Sequence, residues 1–277
     1  MLTKSDVALY RQQGFLPARR HLSAEDAAVL RRDCIRTCGV ENRDPARRQA
    51  SNRVKPFLLF RWAAGLVRHR AILDSVEALI GPDILVFHTT VWFKEAGSPK
   101  SVPWHQDATY FGLDPLDHVT AWVALTPSTE AMGCVRILPC SHRRDQLPHA
   151  DNPDPDIMLS RGQTAVADID ERDAVNLIMA PGEVSFHHTL ALHRSGPNKG
   201  DAPRIGIGIS YIPAHVRHVG ETRLSATLVR GVDRHGHFDP EPAPDGDQTD
   251  AAIAAHRDSL ERFWRASTSI PEMAQIH

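Results

Sequence analysis

"ILVFHTTVWFK" (residues 84–94) is a run of β-branched and aromatic residues that begins just after Gly81-Pro82. A run of this kind, bounded by Gly and Pro, reads as a strand. The pattern before it has a different period. Ile72, Leu73, Val76, Leu79 and Ile80 recur at helical spacing until Gly81-Pro82 stops them. Further upstream, Ser23-Ala24-Glu25-Asp26 resembles a capping box. Downstream the strand pattern repeats in "HVTAWVAL" (118–125), "CVRIL" (134–138), "GEVSFHH" (182–188) and "RIGIGISYI" (204–212). A polar insertion at 142–175 interrupts these runs, and loops of that length commonly act as lids. A second polar loop is expected at 41–54. Beyond 213 come an acidic loop, "DPEPAPDGDQTD" (239–250), and a closing helix, "DAAIAAHRDSLERFWRAS" (250–267). The expectation is one domain over 1–277, mainly β with flanking helices. It divides into a helical N-terminal part (1–82), a β core (83–213) with a lid insertion (142–175), and a C-terminal loop and helix (214–277). Strands in mid-chain with helices at both ends suggest a β-sandwich or barrel.

Composition narrows the function. Lys plus Arg number 32 against 34 Asp plus Glu, and no basic stripe stands out, so the footprint of a nucleic-acid binder is missing. No apolar run has the length of a membrane span, and the first residues lack the apolar core of a signal peptide. Cys34, Cys38, Cys134 and Cys140 form no CxxC and are too few for a disulfide scaffold. These features suggest a cytoplasmic protein, a monomer or homodimer, acting on a small molecule without a nucleic-acid or membrane partner. Cys34 and Cys38 read as small core residues one helical turn apart.

The chemistry begins with "SVPWHQDATYFG" (101–112). His-x-Asp occurs four times, at 105/107, 149/151, 237/239 and 256/258. The pairs at 149 and 237 lie in Pro/Asp-rich loops. Residues 256 and 258 fall in a helical pattern, where i and i+2 diverge. Only His105 and Asp107 fall where a strand is plausible, and there i and i+2 share a face. A third ligand is available in "PGEVSFHHTLALHRSGPN" (181–198), from His187, His188 or His193. Two His and one carboxylate occupy one face of an octahedral metal and leave the rest open, as in non-haem Fe(II) oxygenases. Zinc can use the same donors. Arg204, at the head of an apolar strand, suggests a guanidinium awaiting a carboxylate, or else a strand-end Arg turned to solvent.

On "WHQDATYFGL", "HVTAWVALTPSTEAMGCVRILPCSH" and "PGEVSFHHTLALHRSGPN…R", the chain resembles the phytanoyl-CoA dioxygenase superfamily of Fe(II)/2-oxoglutarate oxygenases. The resemblance implies a double-stranded β-helix, a cupin-like jelly roll. It makes His105, Asp107 and His193 the iron ligands, so that the metal centre they form is the catalytic group, with 2-oxoglutarate and O2 as co-substrates. It gives Arg204 the distal carboxylate of 2-oxoglutarate, with Ser195 beside it and Trp122 lining the pocket, and Lys94 and Gln106 near the co-substrate. The implied reaction is hydroxylation of an unactivated C–H in a natural-product intermediate, an amino acid or a small zwitterion such as an aminoalkylphosphonate. The alternatives are desaturation, epimerisation or ring formation on the same iron site, or a non-catalytic jelly roll or zinc protein with these ligands. The chain departs from the family pattern at Met132 and at two usual Gly positions, Cys140 and Arg194. Asp107 is present where the family's halogenases carry a small residue.

Other residues carry two readings each. His187, Thr109, Tyr110 and Arg161 are candidate substrate contacts, with plain packing or solvation as the alternative. His188 reads as structural, Trp92 and Trp104 as core, Phe111 as core or pocket wall, and Gln163 as a lid residue.

Overall fold

The computed structural model describes residues 2–38 and 52–269. Its strands are β1 (Phe15–Arg20), β2 (Ile84–Lys94), β3 (Val102–His105), β4 (Leu113–Asp114), β5 (Val119–Ala124), β6 (Val135–Ile137), β7 (His149–Ala150), β8 (Thr164–Ala165), β9 (Val175–Leu177), β10 (Glu183–His188), β11 (His193–Ser195), β12 (Arg204–Pro213), β13 (Arg217–His218), β14 (Ser225–Arg230) and β15 (Asp239–Pro240). Its α-helices are α1 (Lys4–Gln13), α2 (Ala24–Cys38), α3 (Arg61–Leu66), α4 (Arg70–Ile80), α5 (Ala108–Phe111) and α6 (Asp250–Ser269).

Seven strands form one sheet in the order β1-β10-β5-β12-β2-β14-β15, and four form another in the order β3-β11-β6-β9. Pairing is antiparallel apart from β14 with β15. The crossovers between the two sheets give the jelly-roll arrangement. The central strands β5 and β12 of the large sheet are buried on both faces, which explains why "VTAWVA" and "RIGIGISYIP" are apolar almost throughout. Ile205, Ile207, Ile209 and Tyr211 face outward and pack on the helices through Phe57, Leu58, Ile72 and Val76. Trp122, Ala124, Val135 and Ile137 fill the space between the sheets. At one end Phe87, Phe111, Phe238 and Phe263 close the sandwich, so α6 plugs one mouth of the barrel.

The strands expected from 84–94, 118–125, 134–138, 182–188 and 204–212 are all present, as are the helices over 70–80 and 250–267. The Ser23 cap is also present: its hydroxyl accepts from the Asp26 backbone N–H at 3.0 Å. Residues 39–51, most of the 41–54 loop, lie outside the described residues.

Two expectations are corrected. The N-terminal part is not wholly helical, because β1 adds an edge to the large sheet against β10. Its sequence, "FLPARR", carries a proline and three consecutive residues without strand preference, a pattern that only an edge tolerates. In the C-terminal part, β14 joins the sheet beside β2. The insertion at 142–175 holds β7 and β8 and a short 3-10 turn at Glu171–Asp173.

Candidate metal centre and co-substrate pocket

β3 and β11 are antiparallel neighbours, and His105 lies directly across from His193. This pairing brings two histidines 88 positions apart in sequence to a ring separation of 4.1 Å. Asp107 arrives by a different route from the one expected. β3 ends at His105, and Asp107 is the N-cap of α5 with helical dihedrals of −59° and −33°. The carboxylate is therefore placed by a strand running into a helical turn rather than by strand alternation. Asp107 Oδ1 lies 3.5 Å from His105 Nε2 and 3.6 Å from His193 Nε2. One donor atom from each residue lies within 4.8 Å of the others, and this is the one such cluster of His, Cys, Asp and Glu among the described residues.

The surrounding hydrogen bonds fix the chemistry of these donors. His105 Nδ1 donates to the Pro103 carbonyl at 3.0 Å, and His193 Nδ1 donates to the Ala191 carbonyl at 2.9 Å. Each imidazole thus keeps its proton on Nδ1 and presents the Nε2 lone pair inward, the tautomer a metal requires. Burial, reinforced by the neighbouring imidazoles of His105 and His187, pushes His193 well below its ordinary pKa. Burial acts to raise the Asp107 carboxyl, but His193, His105 and His187 outweigh it and hold the group well below the usual carboxylate range. The second oxygen of Asp107 is already engaged: Thr120 Oγ1 donates to Oδ2 at 2.7 Å. Oδ1 is left facing the two imidazoles, so the donor set fits a single divalent metal with the carboxylate binding through one oxygen.

Thr120 was not legible as a site residue, because "HVTAWVAL" reads simply as a strand. Thr120→Ala is expected to weaken metal binding by roughly 10-fold, the lower end for loss of a partner that orients a ligand. Equilibrium dialysis with Fe(II) or Co(II) measures it, and an unchanged affinity would remove Thr120 from this role.

The cavity beside the cluster is walled by both sheets. Trp92, Thr120, Trp122, His187, Arg204 and Gly208 come from the large sheet, and Val102, Val135, Arg194 and Ser195 complete the other side. Arg204 is 1% exposed at its far end. Nη1 donates to the Gly133 carbonyl at 2.6 Å and to Ser195 Oγ at 3.1 Å, and the guanidinium lies over the Trp122 ring at 5.3 Å. Nε has no partner, and no carboxylate pairs with this cation among the described residues. Burial pushes Arg204 down to about 10. Lys94, also fully buried, donates to Ser195 Oγ at 2.6 Å, and burial, with Arg204 adding to it, pushes Lys94 down to about 6. A buried guanidinium without a counter-ion costs several kcal/mol, roughly, unless an anion joins it. An orphaned guanidine nitrogen and an uncompensated positive end fit a dicarboxylate that reaches from the metal to Arg204.

Gly206 is part of this fit, since a Cβ there would stand 2.1 Å from the Trp122 ring. Gly206→Ala is expected to displace the indole from Arg204 and raise the 2-oxoglutarate requirement by about 10-fold or more, a loss of roughly 1.4 kcal/mol. Titration of the co-substrate at saturating Fe(II) checks this.

The remaining sequence candidates separate. His187 lines the cavity, with Nε2 at 3.3 Å from Asp107 Oδ2 and its ring 4.5 Å from His193. It reaches this place from β10 while His193 is on β11, so no single regular strand carries both. Trp92 also lines the cavity and is more than core. Gln106 is corrected: it turns away from the cavity between its two neighbours. Its amide donates to the Leu190 carbonyl at 2.9 Å and accepts from the Leu147 N–H at 2.7 Å, so it ties the insertion to the β10–β11 turn. Thr109 shares a hydrogen bond with His149 at 3.0 Å and does not line the cavity.

Tyr110 stands edge-on to His105 at 6.1 Å, and its hydroxyl donates to the Gln163 carbonyl at 3.4 Å. Arg161 pairs with Asp151 and reaches the Ser267 carbonyl, so Tyr110, Arg161 and Gln163 line a small crevice against α6 rather than the metal cavity. His188 faces the other way, toward Tyr10 and His142, as a structural residue does. Trp104 donates to Glu171 at 2.8 Å, and the same carboxylate holds Arg136 at 2.8 Å and Arg194 at 2.7 Å. Glu171, which the sequence reading passed over, thus fastens the insertion to the small sheet beside His193. Cys140 adopts φ 62°, the left-handed conformation that a glycine enters more easily.

The phytanoyl-CoA dioxygenase (PhyH) family model matches residues 10–206. The chain belongs to the phytanoyl-CoA dioxygenase family. It is 33% identical over 153 residues to the peroxisomal phytanoyl-CoA dioxygenase of Homo sapiens, which covers 53% of this chain and 45% of that protein. The chain thus spans about half the length of the first curated relatives it matches. It is 27% identical over 222 residues to the probable alpha-ketoglutarate-dependent hypophosphite dioxygenase of Stutzerimonas stutzeri, covering 74% of this chain and 77% of that one. Among solved structures it resembles the non-heme monooxygenase ThoJ in its apo form, with a TM-score of 0.84 and 34% identity over 95% of this chain and 97% of that one. Family membership agrees with the jelly-roll fold.

Proposed function

We propose that this protein is an Fe(II)- and 2-oxoglutarate-dependent dioxygenase that hydroxylates an unactivated C–H of a small molecule. The observation that carries the reading is the convergence of His105 Nε2, Asp107 Oδ1 and His193 Nε2 in a cavity that ends at a buried Arg204 with no counter-ion. Bound there, iron and 2-oxoglutarate supply oxidising power from O2 as the keto acid is decarboxylated to succinate.

The chain's own residues do the rest. The two carbonyl-anchored imidazoles and the Thr120-anchored carboxylate hold their donors on one side and leave the other side to small molecules. Arg204 and Ser195 dock the far carboxylate, and Lys94 holds Ser195 in place through its hydrogen bond to Oγ. Trp122 stacks on the guanidinium and keeps water from it. No helix among the described residues is long and apolar enough to cross a membrane.

Succinate release from 2-oxoglutarate tests this reading. It is expected to require both Fe(II) and O2, and to stop under argon. Product mass then identifies the reaction. A gain of one oxygen supports hydroxylation, whereas loss of two hydrogens with no added oxygen would replace it with desaturation or ring formation. Metal binding without any succinate would favour a binding protein.

A further inference from the structure

Three buried imidazoles around Asp107 leave four ring nitrogens without a partner, His88 Nδ1, both nitrogens of His118 and His187 Nδ1, while His187 Nε2 faces Asp107 Oδ2 at 3.3 Å. None of the three residues is more than 8% exposed. A buried polar atom without a partner costs about 1–3 kcal/mol. A group of them next to a reaction centre is a burden to the fold and calls for a ligand.

Strand register shows how they are laid out. His187 lies opposite Thr120, Thr120 opposite Ser210, and Ser210 opposite His88. These side chains therefore cross the inner face of four adjacent strands in one row, about 14 Å long at the usual strand spacing. His118 precedes Thr120 by two residues, and its ring lies 5.4 Å from Phe111, which also contacts His88 at 5.5 Å. Phe263 of α6 stacks on His88 at 4.6 Å. The row is thus polar underneath and aromatic above.

Two of its imidazoles, His88 and His118, carry no charge. Burial, with Lys55 adding to it, pushes His88 down to about 3, and burial does the same to His118. Both rings are neutral near pH 7, each with one donor and one acceptor. Other charged groups near the row are committed. Lys94 and Arg204 stand at the opposite end of the cavity, and Lys55 is paired with Glu241 at 2.6 Å. Arg194 is held by Glu171 over the face of Trp104. Asp107 gives one oxygen to Thr120 and turns the other to the metal position. A substrate carboxylate, phosphonate or ammonium placed on this row would be buried without a counter-ion, at a cost of several kcal/mol, roughly.

We propose that this row is the substrate-binding surface, and that its substrate is an uncharged molecule bearing a hydroxyl or amide group. The metal cavity reaches this row at Thr120 and His187, where the polar group enters, and the apolar body lies toward Phe111 and Phe263, which must part to admit it. This rests on the dioxygenase reading above, and of the substrate classes expected from sequence it selects an uncharged natural-product-like molecule over an amino acid or a zwitterion.

The test uses the full chain with Fe(II) and 2-oxoglutarate under argon. The probes are cyclohexanol, cyclohexanecarboxamide, cyclohexylammonium and cyclohexanecarboxylate. The readout is the shift each causes in the visible metal-to-keto-acid charge-transfer band. The alcohol and the amide are expected to act at concentrations at least about 10-fold lower than either ion. Ser210→Ala and His88→Phe are each expected to weaken the alcohol by about fivefold, the effect of one lost hydrogen bond, with 2-oxoglutarate affinity unchanged as the control for folding. Equal or stronger action by an ion in the wild-type protein overturns the proposal, whatever the variants do. So does an alcohol response that both variants leave intact. If the wild-type protein forms no charge-transfer band at all, the dioxygenase reading fails first and takes this one with it.

Discussion

Asp107→Ala is expected to lose at least about 100-fold in Fe(II) affinity, more than the loss of an outer partner alone produces, and to abolish 2-oxoglutarate-dependent succinate release. The carboxylate is the only anionic donor in the cluster, and its Oδ1 atom is the one that both inward nitrogens approach. Its removal leaves two neutral imidazoles and also strips Thr120 of its acceptor. The metal-free fold loses the Thr120 hydrogen bond and the imidazole contacts that hold the carboxyl low, so a modest loss of stability accompanies the change. Equilibrium dialysis with Fe(II), alongside circular dichroism of the metal-free protein, separates the two effects. Retained affinity in a folded variant would mean that the cluster is not the metal centre.

Arg204→Ala is expected to act on the co-substrate and spare the metal. Truncating one partner of a buried, hydrogen-bonded charge pair costs about 2–5 kcal/mol, so the 2-oxoglutarate requirement should rise by roughly 30-fold or more. Fe(II) affinity measured without 2-oxoglutarate should stay within about twofold, since Arg204 touches none of the three proposed ligands. Its hydrogen bonds go to Gly133 and Ser195, and its face goes to Trp122. If iron and 2-oxoglutarate affinities fell together, Arg204 would be holding the Gly133 turn and β11 in place rather than binding a carboxylate.

The sequence was most informative where one local rule governs. Continuous apolar runs located the inner strands of the large sheet, because its central strands are buried on both faces. Helical spacing located α4 and α6. Prediction failed where tertiary pairing overrode local preference. β1 is a strand only because β10 offers an edge, and nothing in "FLPARR" announces it. At the site, the histidine and aspartate at 105 and 107 were visible as a pair, but not the helical turn that brings them together. His193 followed from the family resemblance, while spacing alone left His187 and His188 equally open. Gln106 was misplaced because adjacency in sequence says nothing about the direction of a side chain past a strand end. Thr120, Glu171, His88 and His118 gave no signal at all. Their roles depend on cross-strand register and on contacts between segments tens of residues apart, neither of which leaves a local pattern.

The most direct measurement is a crystal structure obtained under argon with Fe(II) and 2-oxoglutarate. The expected result is one metal about 2 Å from His105 Nε2, Asp107 Oδ1 and His193 Nε2, with the keto acid on its open side and the far carboxylate forked onto Arg204. A metal bound elsewhere, or a keto acid whose far carboxylate ignores Arg204, would contradict it.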